Sequence, residues 1–227
     1  NDHLLEIGTG WGGFAIYAAK NYGCKVTTTT ISEKQYQLAK ERVEEANLSD
    51  KITLLLEDYR DLEGQFDKLV SIEMIEAVGY QYFDDYFKKC SKLLKPEGLM
   101  VLQAITIADQ QYKYSIRSVD FIQKYIFPGG CLPSVSKIAE TITEYTDMRI
   151  INIEDIGPHY ATTLNHWRER MYESIDVIKG MGYSDTFIRM WHYYLCYCEG
   201  AFIERAIGDV QMIMMKPMNR DAPYLNF

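Results

Sequence analysis

The stretch LLEIGTGWGGFAIYAAK, residues 4–20, decides the fold of this chain. A short apolar strand comes first, a glycine cluster follows, and the last residues have the composition of a helix. Because glycine has no Cβ, the backbone of such a loop can turn sharply and let a ligand approach it closely. Two classes of cofactor are bound by loops of this kind, the nicotinamide or flavin dinucleotides and S-adenosylmethionine.

Strands and helices alternate from this stretch through the first half of the chain. Four further apolar or β-branched runs predict strands: CKVTTTTI (24–31), KITLLLED (51–58), FDKLVSIE (66–73) and GLMVLQAITI (98–107). Nearly continuous apolar runs are typical of strands buried on both faces. Between them, SEKQYQLAKERVEEAN opens with a capping box formed by Ser32 and Gln35, and YFDDYFKKCSKLLK is expected to end at Pro96. The alternation predicts an α/β fold with a doubly wound parallel sheet.

The pattern changes at about Asp109. Residues 109–132 interrupt the alternation directly after a predicted strand, where open α/β sheets bind ligands, so we predict a lid there. Methionine and tyrosine are concentrated beyond this point, which favours a hydrophobic substrate pocket. The later run DTFIRMWHYYLCYCEGAFIERAI is apolar on nearly all sides and predicts a helix that lines this pocket or contacts a second copy of the chain in a homodimer.

Composition restricts the classes of function. The 227 residues carry a net charge of −8, which argues against a nucleic-acid partner. The five cysteines form no CxxC pair and no metal-ligand spacing, so we expect no metal and a reducing, cytoplasmic location. Three lysines, Lys88, Lys92 and Lys95, share one side of a predicted helix and suggest local contact with a membrane surface, although a solvated helix face explains them equally well.

Two details of the sequence favour S-adenosylmethionine over a dinucleotide. Glu6 lies two residues before Gly8, where a carboxylate would repel a pyrophosphate but suits an ammonium and a sulfonium. The second predicted strand ends in TTTTIS, without the acidic residue that usually binds the ribose of a dinucleotide. Glu33 is close, but it lies in the first turn of the next helix and complements the helix dipole there.

Seven blocks of the sequence resemble the cyclopropane fatty acid synthase and mycolic acid methyltransferase family. They are LEIGTGWGGFAIYAAKNYG, TTISEKQ, LEDYRDLEGQFDKLVSIEMIEAVG, LLKPEGLMVLQ, KYIFPGGCLPS, GPHYATTL and YYLCYCEGAFIERAIGDVQM, in the family's order. The resemblance covers almost the whole chain. It implies one domain over residues 1–227 with the Rossmann-like fold of class I S-adenosylmethionine methyltransferases, a mostly parallel seven-stranded sheet with a helical lid.

The resemblance also implies the positions of the cofactor contacts. These are Gly8, Gly10 and Gly12 in the loop, Thr30 and Gln35 near the ribose, and Asp58 and Tyr59 beside the adenine. Together with Glu6, they would lie at the ends of the first three strands, on the carboxyl edge of the sheet.

The chemistry implied by the family is methylene transfer to a cis double bond of a phospholipid acyl chain at the inner membrane face. A carbocation forms on the chain, and a bound bicarbonate removes a proton so that the cyclopropane ring closes. The family holds this anion with a glutamate, a histidine, a tyrosine, a cysteine and a backbone amide. Glu76, Tyr160 and the N–H of Ile105 match three of these groups.

The sequence departs from the family at two of these positions. Gln103 stands where the family has its histidine, which weakens the expectation of bicarbonate because glutamine carries no charge. His159 is a second candidate for the missing histidine's role. The family's cysteine lies upstream of the glycine loop, so we expect a further segment before Asn1 in the whole protein.

Three alternative functions stay open. The chain could be a methyltransferase acting on a small amine or on a lipid alkene without ring closure, which Gln103 makes more credible. It could also be a domain that binds the cofactor without turnover. A nicotinamide-dependent dehydrogenase is the least favoured alternative.

Overall fold

The computed structural model describes residues 2–220, which form a seven-stranded sheet in the order β3-β2-β1-β4-β5-β7-β6. The strands are β1 (His3–Ile7), β2 (Lys25–Thr29), β3 (Ile52–Leu55), β4 (Phe66–Ile72), β5 (Leu94–Ile107), β6 (Arg149–Asp155) and β7 (Ile207–Met215). The five strands β1 to β5 pair in parallel, whereas β7 is antiparallel to both β5 and β6. The predicted doubly wound, mostly parallel sheet is confirmed.

Helices cover both faces of this sheet. They are α1 (Gly13–Tyr22), α2 (Glu33–Glu45), α3 (Phe83–Leu93), α4 (Asp109–Ser115), α5 (Phe121–Tyr125), α6 (Val135–Tyr145), α7 (Gly157–Glu173), α8 (Ile175–Gly180) and α9 (Asp185–Ile203). Two short 3₁₀ turns, Ile75–Ala77 and Tyr80–Tyr82, connect β4 to α3. None of the helices described is long and apolar enough to cross a membrane.

Alternate residues of the strands belong to two cores, one on each face. Leu5 and Ile7 of β1 pack with α3 and α6, while Leu4 lies with Val26 against α1 and α2. This division follows from the two-residue period of a strand, which places successive side chains on opposite faces. A third buried cluster contains Leu164 of α7 with Leu195 and Phe202 of α9, packed against the ends of β5 and β7.

Two predicted helix boundaries were wrong. The helix before β5 ends at Leu93 rather than at Pro96, because residues from Leu94 onward extend into the strand and the pairing with β4 shifts register around this proline. The sequence run TLNHWRERMYESIDVIKGMG predicts one helix that begins at Thr163, whereas α7 starts at Gly157, with Pro158 in its first turn, where the missing N–H of proline is tolerated. Its predicted continuation is divided at Ser174 into α7 and α8.

Residues 109–132 contain α4 and α5 and lie directly after β5. Asp120 and Gln123 form a capping box at the start of α5, in which each side chain bonds the other residue's backbone N–H. The ring of Phe121 meets that of Tyr193 on α9 edge to face, with centroids 4.7 Å apart. This segment therefore packs against α9 by aromatic contacts, in the position where we expected a lid.

Candidate functional site

The glycine loop connects β1 to α1 at the carboxyl edge of the sheet. Its backbone is left-handed at Gly8, Gly10 and Gly12, where φ is 104°, 52° and 80°. A Cβ at Gly12 would lie 3.1 Å from the Cβ of Ala39, so packing against α2 requires glycine there. A Cβ at Gly10 would meet no heavy atom of residues 2–220 within 4 Å, so this side of the loop leaves space among the described residues that a ligand could fill.

Glu6 ends β1 beneath the loop and is almost completely buried. Its Oε2 accepts a hydrogen bond of 2.6 Å from the hydroxyl of Thr28, which also lies 2.7 Å from that of Thr9. Burial raises the pKa of the Glu6 carboxyl to about 7, against the opposing effect of the Thr28 hydrogen bond. A cation placed nearby would favour the ionised form, and the cofactor-binding role of Glu6 stays a prediction.

The other predicted cofactor residues lie at the ends of β2 and β3. The hydroxyl of Thr30 donates to Oε1 of Gln35 at 2.7 Å, so these two side chains form one polar group after β2. Asp58 instead accepts two side-chain hydrogen bonds from Arg60, which hold the pKa of this carboxyl below its ordinary value. The ring of Tyr59 packs edge to face against Tyr86. An adenine contact by Asp58 and Tyr59 stays a prediction, and the engagement of Arg60 was not foreseen.

A second polar group lies at the ends of β4, β5 and β7, and we call Glu73, Glu76 and Asp209 the acidic cluster. Glu73 directly follows β4 in a left-handed conformation, with φ of 49°. Both of its carboxylate oxygens accept hydrogen bonds, one from Nε2 of Gln103 at 2.8 Å and one from the hydroxyl of Tyr160 at 2.7 Å. Two residues expected to bind an anion therefore bind the carboxylate of Glu73.

Asp209 lies beside this pair on β7 and is completely buried. Nε2 of Gln103 also approaches its Oδ2 at 3.2 Å, and Gln211 donates to the side-chain oxygen of Gln103 at 2.9 Å. Oδ1 of Asp209 has no hydrogen-bond partner among residues 2–220. Burial, and then the charge of Glu73, raise the pKa of Asp209 to about 7.

Glu76 lies in the 3₁₀ turn after β4. Its Oε1 accepts a short hydrogen bond of 2.6 Å from the backbone N–H of Ile105, and its buried Oε2 has no partner in the described part of the chain. Burial raises the pKa of this carboxyl to about 8. The backbone carbonyl of Glu76 accepts from the N–H of Cys131 at 2.8 Å, which ties the end of the lid segment to the acidic cluster.

These contacts bring together all four residues predicted to be catalytic: Glu76, Gln103, Ile105 and Tyr160. They do not fit bicarbonate, because every donor predicted to hold it already donates to a glutamate and the surrounding side chains are acidic.

The sequence interpretation missed Glu73, Asp209 and Gln211. The one available signal was the position of Glu73 at the end of an apolar strand run. His159 is exposed on the first turn of α7, so it does not replace the histidine that Gln103 displaces.

An aromatic cluster borders the acidic cluster. The ring of Tyr160 stacks on Phe202 with centroids 4.7 Å apart and meets Trp167 edge to face at 6.1 Å. Phe127 of the lid segment meets Tyr194 of α9 at 6.2 Å. We use the name aromatic cluster for Phe127, Tyr160, Trp167, Tyr194 and Phe202. Tyr160 therefore belongs to both groups, with its hydroxyl on Glu73 and its ring among aromatic side chains.

Comparison with known proteins identifies the family of this chain. A family model described as "Mycolic acid cyclopropane synthetase" matches residues 1–212. The chain belongs to the mycolic acid cyclopropane synthetase family. It is 42% identical over 200 residues to the tuberculostearic acid methyltransferase UfaA1 of Mycobacterium tuberculosis, and 41% identical over 213 residues to the cyclopropane-fatty-acyl-phospholipid synthase of Escherichia coli.

These alignments cover 88% and 94% of the chain but only 47% and 53% of the two relatives. The chain thus spans about half the length of the curated relatives it matches. The cyclopropane synthase MmaA2 from Mycobacterium tuberculosis superposes with a TM-score of 0.86 at 25% identity, over 95% of this chain and 78% of that one. The mycolic acid cyclopropane synthase CmaA1, complexed with SAH and CTAB, gives 0.84 at 26% identity with the same coverage. Both the resemblance and the fold expected from it, that of class I S-adenosylmethionine methyltransferases, are confirmed.

Proposed function

We propose that this protein transfers a methylene group from S-adenosylmethionine to a cis double bond in the acyl chain of a phospholipid and so forms a cyclopropane ring. The family supports S-adenosylmethionine-dependent transfer to lipids, and the Escherichia coli relative is named for this phospholipid reaction. The substrate would be met at the surface of a membrane, from the cytoplasmic side. Peripheral membrane binding and homodimer formation stay predictions.

The observation that carries the proposal is the double contact of Tyr160. Its hydroxyl donates to Glu73 in the acidic cluster, while its ring stacks on Phe202 in the aromatic cluster. Addition of a methyl group to an unactivated alkene creates a positive charge on the acyl chain and then requires the loss of a proton. Aromatic faces attract a cation through their quadrupole, and a carboxylate can accept a proton. The two clusters provide both properties at one place.

The cofactor would be held at the neighbouring strand ends. The open side of Gly10, the buried carboxyl of Glu6 and the polar pair formed by Thr30 and Gln35 suit a molecule with an ammonium group, a sulfonium and a ribose. S-adenosylmethionine supplies a methyl group bonded to a positively charged sulfur. The aromatic cluster would exclude water from the acyl chain, and the acidic cluster would take up the released proton.

Bicarbonate, expected from the family resemblance, is not part of this proposal. Gln103 and Tyr160 donate their hydrogen bonds to Glu73, and Ile105 donates its N–H to Glu76. An added anion would have to displace these contacts and enter a group of three carboxyl side chains. The expectation of bound bicarbonate therefore stays an untested prediction that these residues do not support.

A second candidate function is methyl transfer to a lipid alkene without ring closure. Gln103 favours it, because a neutral amide bonded to Glu73 and Asp209 occupies the position of the family's histidine. The relative UfaA1 is named as a methyltransferase rather than a cyclopropane synthase. In this reaction the lost proton would leave behind a carbon–carbon double bond instead of a ring.

The two functions are separated by product analysis with the full-length protein. Vesicles of phosphatidylethanolamine carrying one cis-unsaturated chain are incubated with S-adenosylmethionine, and the released fatty acids are examined by mass spectrometry before and after dimethyl disulfide treatment. Cyclopropanation yields an acid heavier by one CH2 that does not react with dimethyl disulfide. Methylation without ring closure yields the same mass but a double bond that reacts. If neither acyl product forms, the proposed function is overturned.

A further inference from the structure

We propose that Glu73 takes the place of bicarbonate and accepts the proton that the acyl chain loses. The inference rests on the proposed function, and it holds for ring closure and for methylation without a ring, because both reactions release one proton. It names a catalytic residue that the family pattern does not include. Three observations support it: the hydrogen bonds of Glu73, the charges around it and its backbone conformation.

The hydrogen bonds place the Glu73 carboxylate where an anion was expected. Gln103 and Tyr160, which match or replace groups that hold bicarbonate in the family, donate to the two oxygens of Glu73 at 2.8 and 2.7 Å. A side-chain carboxylate and bicarbonate offer the same kind of planar, two-oxygen acceptor. Hydrogen bonds to both oxygens also fix the carboxylate in one orientation and limit its reactivity as a nucleophile toward a carbocation.

The charges around Glu73 oppose the binding of a further anion. Asp209 is completely buried, its Oδ2 shares the Nε2 donor of Gln103, and its Oδ1 has no partner among residues 2–220. A second buried oxygen, Oε2 of Glu76, also has no hydrogen-bond partner among these residues. Glu76 follows β4, which pairs with β5 on the edge opposite to β7. Because like charges repel strongly where water is excluded, a bicarbonate beside the carboxylate of Glu73 would be disfavoured.

The backbone at Glu73 is held in a conformation that side chains rarely adopt. Its φ of 49° is left-handed, and its N–H donates to the carbonyl of Gln103 at 2.9 Å. Backbone strain of this kind persists where the surrounding structure enforces it, and it is frequent at functional sites. The turn at Glu73 lies directly after β4, at the edge where open α/β sheets bind their ligands.

The proposed step involves one proton and no oxidation. An oxygen of the Glu73 carboxylate binds the proton from the methylated acyl chain, and the electron pair of that C–H bond forms the new carbon–carbon bond. Glu73 leaves the step as a neutral carboxylic acid, still oriented by Gln103 and Tyr160. Its proton passes to water when the product leaves, which restores the carboxylate.

The test uses three variants of the full-length protein: Glu73→Gln, Glu73→Gly and, as a control for lost surface charge, Glu63→Gln at an exposed position. Turnover on unsaturated phospholipid vesicles is measured in buffer freed of carbon dioxide and again with added bicarbonate. We expect the unmodified protein and Glu63→Gln to be insensitive to bicarbonate. Glu73→Gln should lose about 100-fold in turnover, the contribution typical of a general base, with S-adenosylmethionine affinity unchanged.

The Glu73→Gly variant provides the sharper readout, because glycine tolerates a φ of 49° and leaves space where the carboxylate was. Its turnover should be as low as that of Glu73→Gln, and added bicarbonate should restore it by about tenfold or more. Independently of turnover, ¹³C-labelled bicarbonate should show NMR line broadening with Glu73→Gly and not with the unmodified protein.

The outcomes distinguish this inference from the proposed function. If the unmodified protein forms product only with bicarbonate, or if Glu73→Gln keeps full turnover, Glu73 is not the proton acceptor while the proposed function stands. The inference would also be overturned if bicarbonate neither binds Glu73→Gly nor restores its turnover. If the unmodified protein forms no acyl product at all, the proposed function fails and this inference with it.

Discussion

The carboxyl edge of the sheet carries two polar regions that are built differently. The proposed cofactor side, at the ends of β1 to β3, depends on backbone conformation in the glycine loop and on side chains close in sequence, such as Thr30 and Gln35. The acidic cluster, at the ends of β4, β5 and β7, depends on side chains from distant segments: Tyr160 lies 87 residues from Glu73, and Asp209 lies 106 from Gln103.

This difference favours separate functions for the two regions, cofactor binding in the first and catalysis in the second. The cofactor side is open at Gly10, and its Glu6 carboxyl would be favoured in its charged form by a bound cation. The acidic cluster has buried oxygens on Glu76 and Asp209, beside aromatic rings, that no residue in the described part of the chain hydrogen-bonds. We therefore expect substitutions in the first region to change cofactor affinity and substitutions in the second to change turnover. Four experiments test this separation.

The largest effect is expected for Gly10→Leu. A Cβ there meets no heavy atom of residues 2–220 within 4 Å, but the left-handed backbone strains any residue other than glycine, and the side chain would occupy the space proposed for the cofactor. Affinity for S-adenosylmethionine, measured by isothermal titration calorimetry, should fall on the order of 100-fold or more. Gly182→Leu, at another left-handed glycine with open space around it, is the matched control and should bind normally. Normal binding by Gly10→Leu would show that this loop does not contact the cofactor.

Glu76→Gln tests the other region. The amide oxygen can still accept the N–H of Ile105, but the carboxyl group, which can bind and release a proton, is replaced by an amide that cannot. Turnover on unsaturated phospholipid should fall roughly 10- to 100-fold, with little change in S-adenosylmethionine affinity. Parallel losses in turnover and affinity would contradict the separation between the two regions.

Tyr160→Phe should have a smaller effect. The ring can still stack on Phe202, while the hydroxyl that donates to Glu73 is removed. Loss of one hydrogen bond to a charged group predicts a decrease in turnover of about tenfold. Circular dichroism melting serves as the check on folding, and Phe202→Leu, which removes the stacking partner and keeps the hydroxyl, is the complementary variant. Unchanged turnover in Tyr160→Phe would show that the hydroxyl of Tyr160 does not contribute to catalysis.

The stability of the protein should also depend on pH through Glu76. Burial raises the pKa of Glu76 to about 8 in the folded protein from its ordinary value of 4.5, so the folded state binds this proton more tightly than the unfolded state does. The stability contributed by the protonated carboxyl is complete below about pH 4.5 and is lost as pH rises to about 8. Relative to Glu76→Gln, the unmodified protein should lose on the order of 3 kcal/mol of unfolding free energy between pH 5 and pH 8, measured by urea denaturation.

Glu63→Gln is the control for this comparison, because Glu63 is exposed. Its stability should follow that of the unmodified protein at both pH values. An equal pH dependence for Glu76→Gln and the unmodified protein would mean that Glu76 is ionised in the folded state at pH 5. Such a result would weaken the description of the acidic cluster as a water-excluded group.

Much of the fold was predictable because its signals are local. The apolar runs predicted the strands, and the glycines that follow the first run predicted a ligand loop whose left-handed backbone the structure confirms. Boundaries were less predictable: Pro96 lies within β5, at an irregularity where the pairing with β4 shifts register between Leu94 and Leu99. The four catalytic candidates were found through the family resemblance, and their proximity to one another is confirmed.

The partners of those candidates were not predictable. Asp209 and Gln211 lie in a run that the pattern identified only as a strand, and they meet Gln103 because β7 pairs with β5 in one register. Glu73 could be noted as the residue after a strand, but its two hydrogen bonds depend on where β5 and α7 place Gln103 and Tyr160. A hydrogen bond requires placement within a few tenths of an ångström, which sequence spacing does not specify over such separations.

The amino-acid sequence by itself determined the order of strands and helices, the glycine loop and the family, because each of these is encoded by neighbouring residues or by matching blocks. Only the tertiary structure decided which groups the predicted anion-binding residues contact. The physical reason is that a buried donor must find an acceptor: the pairing of β4 with β5 brings Gln103 to the carboxylate of Glu73, and the position of α7 brings Tyr160 to it.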